Sequence, residues 1–99
     1  EAKLNYALVE KIAGMTEVPL TMHGGSGLTK EQYKKSIEAG ISNIHFYTNI
    51  TLGLWRSLEE LAKKRNGQPV YHEICGATIA YFKKEILNIM EICKSAGKA

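Results

Sequence analysis

The sequence predicts an α/β fold built around two parallel strands that are joined by a helix. Apolar runs that suit buried strands begin near residues 18 and 41. A segment with helix start and stop signals lies between them, which is the order of a βαβ unit with parallel strands. Parallel sheets are normally covered on both faces and continued on both sides. We therefore expect these two strands to be a fragment of a larger α/β domain.

The first three elements follow from apolar spacing and from capping residues. Residues 3 to 13 carry an apolar side chain at every fourth position, which predicts a helix. Residues 18 to 22 form a short apolar run with a proline near its start, which predicts a strand. Thr29 and Gln32 have the spacing of a capping box, so we expect the next helix to begin there and to run to about Ala39.

The last three elements follow in the same way. Residues 41 to 48 are rich in β-branched and aromatic side chains and predict a second strand. Residues 52 to 65 are amphipathic and predict a helix, and a long helix is expected from about residue 71 to residue 95. Cys75 and Cys93 lie in that long helix, about 27 Å apart at 1.5 Å of rise per residue, so they cannot form a disulfide within it.

The composition fits one globular domain in a reducing compartment. Of the 99 residues, 44% are hydrophobic, which is too apolar for a disordered segment. The net charge is +3 and the lysines are scattered, which favours solvated helix faces over a nucleic-acid-binding surface. No apolar run approaches the roughly 20 residues of a membrane span. We expect a cytoplasmic protein without nucleic-acid or membrane partners. The missing initiator methionine indicates a piece of a longer polypeptide.

The stretch PLTMHGGSGLTKEQ (residues 19 to 32) places a histidine and three glycines between the first strand and the next helix. In α/β sheets, ligands gather at the carboxyl ends of the strands. Glycines let the backbone approach a ligand closely, and the N–H groups around Ser26 can form an anion-binding nest. We therefore predict a phosphate held mainly by main chain, with His23 beside it. A tight turn and a hydrogen-bonded structural histidine are the alternatives.

The second strand end, IHFYTN (residues 44 to 49), supplies further polar side chains. With the two-residue alternation of a strand, His45, Tyr47 and Asn49 face one side of the sheet. Three polar groups on one side predict a polar pocket that is open to solvent. The alternative for Tyr47 is a core position in which its hydroxyl is hydrogen-bonded.

These two stretches closely resemble the late part of class II fructose-bisphosphate aldolases. That family typically reads Pro-Leu, two apolar residues and His-Gly-Gly-Ser-Gly, followed by a helix and by a strand ending in Lys-Ile-Asn-Val-Asn/Asp-Thr-Asp. The closing CKSAGKA is similar to the C-terminal tail of the family. The likeness extends over nearly the whole chain.

The resemblance implies the C-terminal portion of a (β/α)8 TIM barrel, about its last two strands with flanking and terminal helices. Residues 1–99 would then be one part of a single barrel domain. The implied activity is zinc-dependent and reversible cleavage of a ketose 1,6-bisphosphate to dihydroxyacetone phosphate and an aldehyde, with zinc as the Lewis acid. The implied partners are the sugar-phosphate substrate, the missing N-terminal part of the barrel, and further copies in a dimer or tetramer.

The resemblance also implies roles for individual residues. His23 matches the last zinc ligand of the family. Gly24, Gly25 and Ser26 match a cradle for the substrate phosphate, which lies near a site for a monovalent cation, Na⁺ or K⁺. The family's second substrate-binding segment matches four consecutive residues, His45, Phe46, Tyr47 and Thr48. The other zinc ligands and the acid/base residue come from earlier strands, so no catalytic residue is expected in this chain.

Three positions depart from the family pattern: His45 replaces the usual Asn, Tyr47 the next Asn or Asp, and Asn49 the following Asp. A bulkier, less acidic site favours a different sugar phosphate, or a phosphate-binding or regulatory relative without aldolase activity. A metal contact by His45 is a further alternative, although the family's zinc already has three histidines. The last alternative is an inactive piece that self-associates to cover its sheet.

Overall fold

A computed structural model describes residues 3–98, and its elements follow the predicted order of helix, strand, helix, strand, helix, helix. The strands are β1 (Leu20–Met22) and β2 (Ile41–Ile44). The helices are α1 (Tyr6–Ala13), α2 (Lys30–Glu38), α3 (Thr48–Lys64) and α4 (Tyr71–Ile92). β1 and β2 pair in parallel, with α2 as the crossover between them. The predicted βαβ unit is confirmed.

The register of the two strands brings their carboxyl ends level. Leu20 lies opposite Ile41 and Met22 opposite Ile44, with an irregularity between Leu20 and Thr21. The pairing continues one residue beyond β2, because the N–H of His45 donates to the carbonyl of Met22 at 3.2 Å. The segments that follow the strands therefore leave the sheet at the same edge.

The second strand is shorter than predicted, and α3 begins earlier. We predicted a strand over residues 41 to 48 and a helix from residue 52, and both boundaries were wrong: β2 ends at Ile44 and α3 begins at Thr48. The side chains after Ile44 suit a strand by propensity, but β1 ends at Met22 and offers them no partner. Tertiary pairing thus overrides the local preference.

Three smaller boundaries also differ from the predictions. α1 begins at Tyr6 rather than at residue 3, because the side chain of Asn5 accepts from the N–H of Leu8 and caps the helix. β1 begins at Leu20 rather than at residue 18. α4 ends at Ile92, three residues before the predicted end. The capping box of α2 was predicted correctly.

Few side chains are buried in the described part of the chain. The buried apolar residues are Tyr33, Ala39 and Ile92. Ser36 is buried beside them, and its hydroxyl donates to the carbonyl of Gln32 at 2.8 Å. This small core lies where α2 meets β2 and α4. α3 packs against α4, and an ion pair between Arg65 and Glu73 links the end of α3 to the start of α4.

The accessible surface is larger than that of a complete globular domain of this mass. It measures 7543 Å², whereas a folded monomer of 11.0 kDa exposes about 5,600 Å². The radius of gyration is 17.3 Å, against about 13 Å for a compact domain of this length. Large apolar side chains on the helices contribute to this surface, among them Leu8, Leu52, Trp55, Ile79, Ile86 and Leu87. The excess surface supports the prediction that these elements pack against further structure.

Both cysteines are free thiols, as predicted. Cys75 lies in α4 and Cys93 caps its end. Burial raises the pKa of the Cys93 thiol. Among the helices of residues 3–98, none has both the length and the apolar character needed to cross a membrane.

The turn between α2 and β2 gives a test of this packing. Gly40 has a φ of +112°, and a Cβ there would lie 2.6 Å from the Cβ of Ala13 in α1. We expect Gly40→Ala to lower the free energy of unfolding by about 2 kcal/mol or more, through backbone strain and steric overlap. Gly67→Ala is the control, since φ is +78° there but nothing lies within 4 Å. Equal losses in urea denaturation of the two variants would show that α1 does not pack tightly here.

Candidate functional site

The two strand ends bring two histidines together. His23 follows β1 directly, and His45 follows β2 directly. Their ring centroids are 4.5 Å apart with an angle of 71° between the planes, an edge-to-face arrangement. Both residues are exposed. The expectation that both unusual stretches lie at the carboxyl ends of parallel strands is confirmed.

The glycine-rich loop after His23 is constrained in two ways. Gly24 has a φ of +71°, a left-handed conformation that glycine adopts without steric cost. Gly25 is buried, and a Cβ there would lie 3.3 Å from Cγ2 of Ile44 and 3.4 Å from the ring of Tyr33. The loop therefore needs glycine for conformation at one position and for space at the next.

Tyr33 on α2 anchors this loop. Its hydroxyl donates to the carbonyl of Gly25, and its side chain is 6% exposed. Burial raises the pKa of the Tyr33 hydroxyl, with a smaller contribution from Cys93, so the group stays protonated and able to donate. The ring also packs on Phe46, with centroids 5.1 Å apart. The sequence analysis missed this residue, because only the fold brings α2 under the loop.

The start of α3 is the second feature that the sequence analysis missed. Its N-cap, Tyr47, makes no side-chain capping bond, and its first turn contains no acidic residue. The backbone N–H groups of residues 48 to 50 find no acceptor within residues 3–98. α2 differs, because Thr29 and Gln32 cap it and Glu31 lies in its first turn. The start of α3 therefore combines free backbone N–H groups with the positive end of a helix dipole.

The predicted second substrate-binding segment has a different geometry from the one we expected. We predicted that His45, Tyr47 and Asn49 share one face of a strand, and this was wrong, because Asn49 is the second residue of α3. Tyr47 is 74% exposed and so does not fill a core. Phe46 is half-buried against Tyr33, and Thr48 is exposed at the start of α3. Whether these residues contact a substrate stays a prediction.

The donors available for a metal within this chain are few. Among residues 3–98, no three His, Cys, Asp or Glu side chains converge on one point. Two such side chains, His23 and His45, do lie close together. Within the same residues, their ring nitrogens make no hydrogen bond or ion pair. Imidazole is a donor that suits zinc, but a catalytic zinc takes about three protein ligands. The pair fits part of such a site and needs ligands from beyond this chain.

Sequence comparison places the chain among aldolases. A profile of the family described as fructose-bisphosphate aldolase class-II matches residues 1–98. The chain is 32% identical over 99 residues to a fructose-bisphosphate aldolase of Geobacillus stearothermophilus, covering 100% of this chain and 34% of that protein. It is 34% identical over 67 residues to a 6-phospho-5-dehydro-2-deoxy-D-gluconate aldolase of Bacillus velezensis, covering 68% of this chain and 23% of that protein.

Structure comparison agrees. The fold is similar to the crystal structure of the YdjI aldolase from Escherichia coli K12, with a TM-score of 0.86 and 26% sequence identity. The match covers 98% of this chain and 36% of the YdjI chain. The chain thus spans about a third of the length of the YdjI and Geobacillus proteins.

The anchor under the glycine-rich loop can be tested by removing one oxygen. Tyr33→Phe keeps the ring against Phe46 but leaves the buried carbonyl of Gly25 without its side-chain donor. We expect the free energy of unfolding to fall by about 1 kcal/mol. Tyr71→Phe is the control, because Tyr71 is 81% exposed and should change stability little. The same small loss in both variants, measured by urea denaturation, would remove Tyr33 from this role.

Proposed function

Since the chain belongs to the class II fructose-bisphosphate aldolase family, we propose that the protein containing it is a metal-dependent aldolase acting on a sugar phosphate. The reaction is reversible cleavage of a ketose 1,6-bisphosphate to dihydroxyacetone phosphate and an aldehyde. The observation that carries the proposal is the joint placement of a histidine, a glycine-rich loop and an uncapped helix start at one edge of a parallel sheet.

The phosphate is bound by main-chain groups. Gly24, Gly25 and Ser26 form one side of its cradle, and the two glycines leave the backbone there without a Cβ to block the anion. The first turn of α3 forms the other side, with its free N–H groups and Thr48. No acidic side chain lies in that first turn to repel the anion. A monovalent cation near the loop, Na⁺ or K⁺, would balance part of the phosphate charge.

His23 holds the metal, which we propose to be zinc. Zinc supplies Lewis-acid polarisation of the substrate carbonyl when bound. The contribution of this chain is to present the His23 imidazole next to the phosphate cradle, so that a bound substrate is oriented by its phosphate towards the metal. Further ligands and the acid/base residue lie outside this chain.

The chain forms the C-terminal third of a (β/α)8 barrel in this proposal. β1 and β2 would be its last two strands, and the earlier strands would cover the sheet edges and the apolar helix faces. The excess accessible surface supports this assignment, and so does the share of the YdjI chain that is matched. We also propose a homo-oligomer, a dimer or tetramer, in the cytoplasm.

Two replacements in the second substrate-binding segment favour a sugar phosphate other than fructose 1,6-bisphosphate. His45 and Tyr47 are bulkier than the amide or carboxylate residues that the family carries at these positions, and Tyr47 is exposed beside the cradle. This observation favours a second candidate function, a phosphate-binding or regulatory relative without aldol cleavage. The two candidates share the phosphate cradle and differ in whether a carbon–carbon bond is broken. Self-association of the isolated chain is a third outcome, and the exposed apolar helix faces favour it when the rest of the barrel is absent.

The first activity test asks whether His23 is a ligand of the catalytic metal. We expect His23→Ala to abolish cleavage of ketose 1,6-bisphosphates, because it removes a ligand of the Lewis acid. His72→Ala is the matched control, since His72 is exposed in the first turn of α4 and should leave the rate unchanged. Release of the aldehyde is followed in a coupled assay with fructose and tagatose bisphosphates. Full activity of His23→Ala would contradict the metal role of His23. No cleavage by the unmodified protein with any ketose bisphosphate would favour the second candidate.

A second activity test asks whether main-chain N–H groups, and not the Ser26 hydroxyl, bind most of the phosphate. Ser26→Ala removes one hydroxyl but leaves the backbone N–H groups in place. We expect kcat/KM to fall only about 5-fold, which corresponds to about 1 kcal/mol for one lost contact. Steady-state kinetics at several substrate concentrations measure this. A loss of several hundred-fold would mean that the Ser26 hydroxyl, and not the main chain, is the principal anchor.

A further inference from the structure

We propose that Tyr33 is a positioning residue for the phosphate, because it turns the backbone N–H of Ser26 towards the anion without touching the anion itself. The inference rests on the proposed function, in which residues 24–26 form one side of the phosphate cradle. It goes beyond that function in making the orientation of the cradle depend on a side chain of α2, and not on the loop alone.

Two donors hold the carbonyl of Gly25. One is the hydroxyl of Tyr33, whose side chain is 6% exposed. The other is the backbone N–H of Leu28, at 3.2 Å. A carbonyl oxygen has two lone pairs, so these two bonds use its full capacity to accept. Together they fix the orientation of the peptide group between Gly25 and Ser26.

The same peptide group carries the N–H of Ser26, which points the opposite way. No cis peptide bond occurs among the described residues, and in a planar trans peptide the C=O and the N–H point in opposite directions. Because the carbonyl of Gly25 points at Tyr33, the N–H of Ser26 points away from it. Within residues 3–98 this N–H donates to no acceptor. It is therefore free to donate to a phosphate oxygen.

The ring of Tyr33 connects the loop to the other side of the cradle. It packs on Phe46, with centroids 5.1 Å apart, and Phe46 lies two residues before the start of α3 at Thr48. A Cβ at Gly25 would lie 3.4 Å from the same ring, so the loop backbone rests directly on it. One buried side chain thus contacts both segments of the proposed cradle and sets their separation.

Tyr33 acts through the loop, since its side chain is buried and its hydroxyl is bonded to the Gly25 carbonyl. Burial also raises the pKa of this hydroxyl, so it stays protonated and continues to donate at neutral pH. The other explanation is that Tyr33 only fills the small core under the loop. In that case its loss would lower stability but leave the affinity for phosphate unchanged.

Two substitutions on α2 separate these explanations. Tyr33→Phe removes the hydroxyl and keeps the ring that packs on Phe46. Ser36→Ala is the matched control, because it removes a buried hydroxyl from the same helix that donates to the carbonyl of Gln32 and not to the loop. The experiment uses the whole protein that contains this chain. Calorimetric titration with inorganic phosphate measures the Kd, and steady-state kinetics with ketose bisphosphates measure KM and kcat separately.

We expect Tyr33→Phe to raise both the Kd for inorganic phosphate and KM by at least about 5-fold, because a hydrogen bond to a charged group is misaligned. The value of kcat should stay within about 2-fold, since the phosphate is held alike in the ground state and the transition state. Ser36→Ala should change neither Kd nor KM. An unchanged Kd in Tyr33→Phe, or an equal increase in both variants, would overturn the inference and leave Tyr33 as a packing residue.

A measurement on the unmodified protein covers the case in which Tyr33→Phe does not fold. With ¹⁵N-labelled serine, inorganic phosphate should shift the amide proton of Ser26 downfield and leave that of Ser36 in place. Phosphate binding without a shift at Ser26 would contradict the inference while leaving the proposed function intact. Neither phosphate binding nor cleavage of any ketose bisphosphate would count against the proposed function itself, and the inference would fall with it.

Discussion

The parallel pairing of β1 and β2 determines where every candidate functional group of this chain lies. Parallel strands end at the same edge, so the residues that follow Met22 and Ile44 meet although they are more than 20 residues apart in sequence. The crossover helix α2 then passes beneath the glycine-rich loop and holds it through the hydroxyl of Tyr33. Without this pairing the two histidines would have no reason to be neighbours.

The same geometry distributes charge unevenly between the two helix starts. α2 is capped by its own side chains and carries Glu31, so it has little to offer an anion. α3 starts three residues after His45 with no cap and no carboxylate. An anion at the strand ends would therefore meet the start of α3 rather than that of α2. The proposed phosphate cradle combines this helix start with a loop whose backbone is exposed by glycine, and neither part depends on a charged side chain.

Sequence reasoning predicted the elements well where the signals are local. The capping box at Thr29 and the turn at Gly40 depend on residues a few positions apart, and the structure has both. It failed after Ile44, where aromatic and β-branched residues suggested more strand than β1 can pair with. It also missed Tyr33, whose contact with Gly25 spans eight residues and exists only when α2 folds back on the loop. Contacts of this kind depend on tertiary packing, which one sequence does not display.

The central claim is that one edge of this sheet binds both the phosphate and the metal of the substrate complex. A crystal structure of the whole protein grown with zinc and dihydroxyacetone phosphate tests it most directly. The account predicts an anomalous zinc peak at the imidazole of His23. It also predicts a phosphate within hydrogen-bonding distance of main-chain N–H groups in residues 24–27 and in the first turn of α3. A phosphate bound elsewhere, or zinc held without His23, would contradict it.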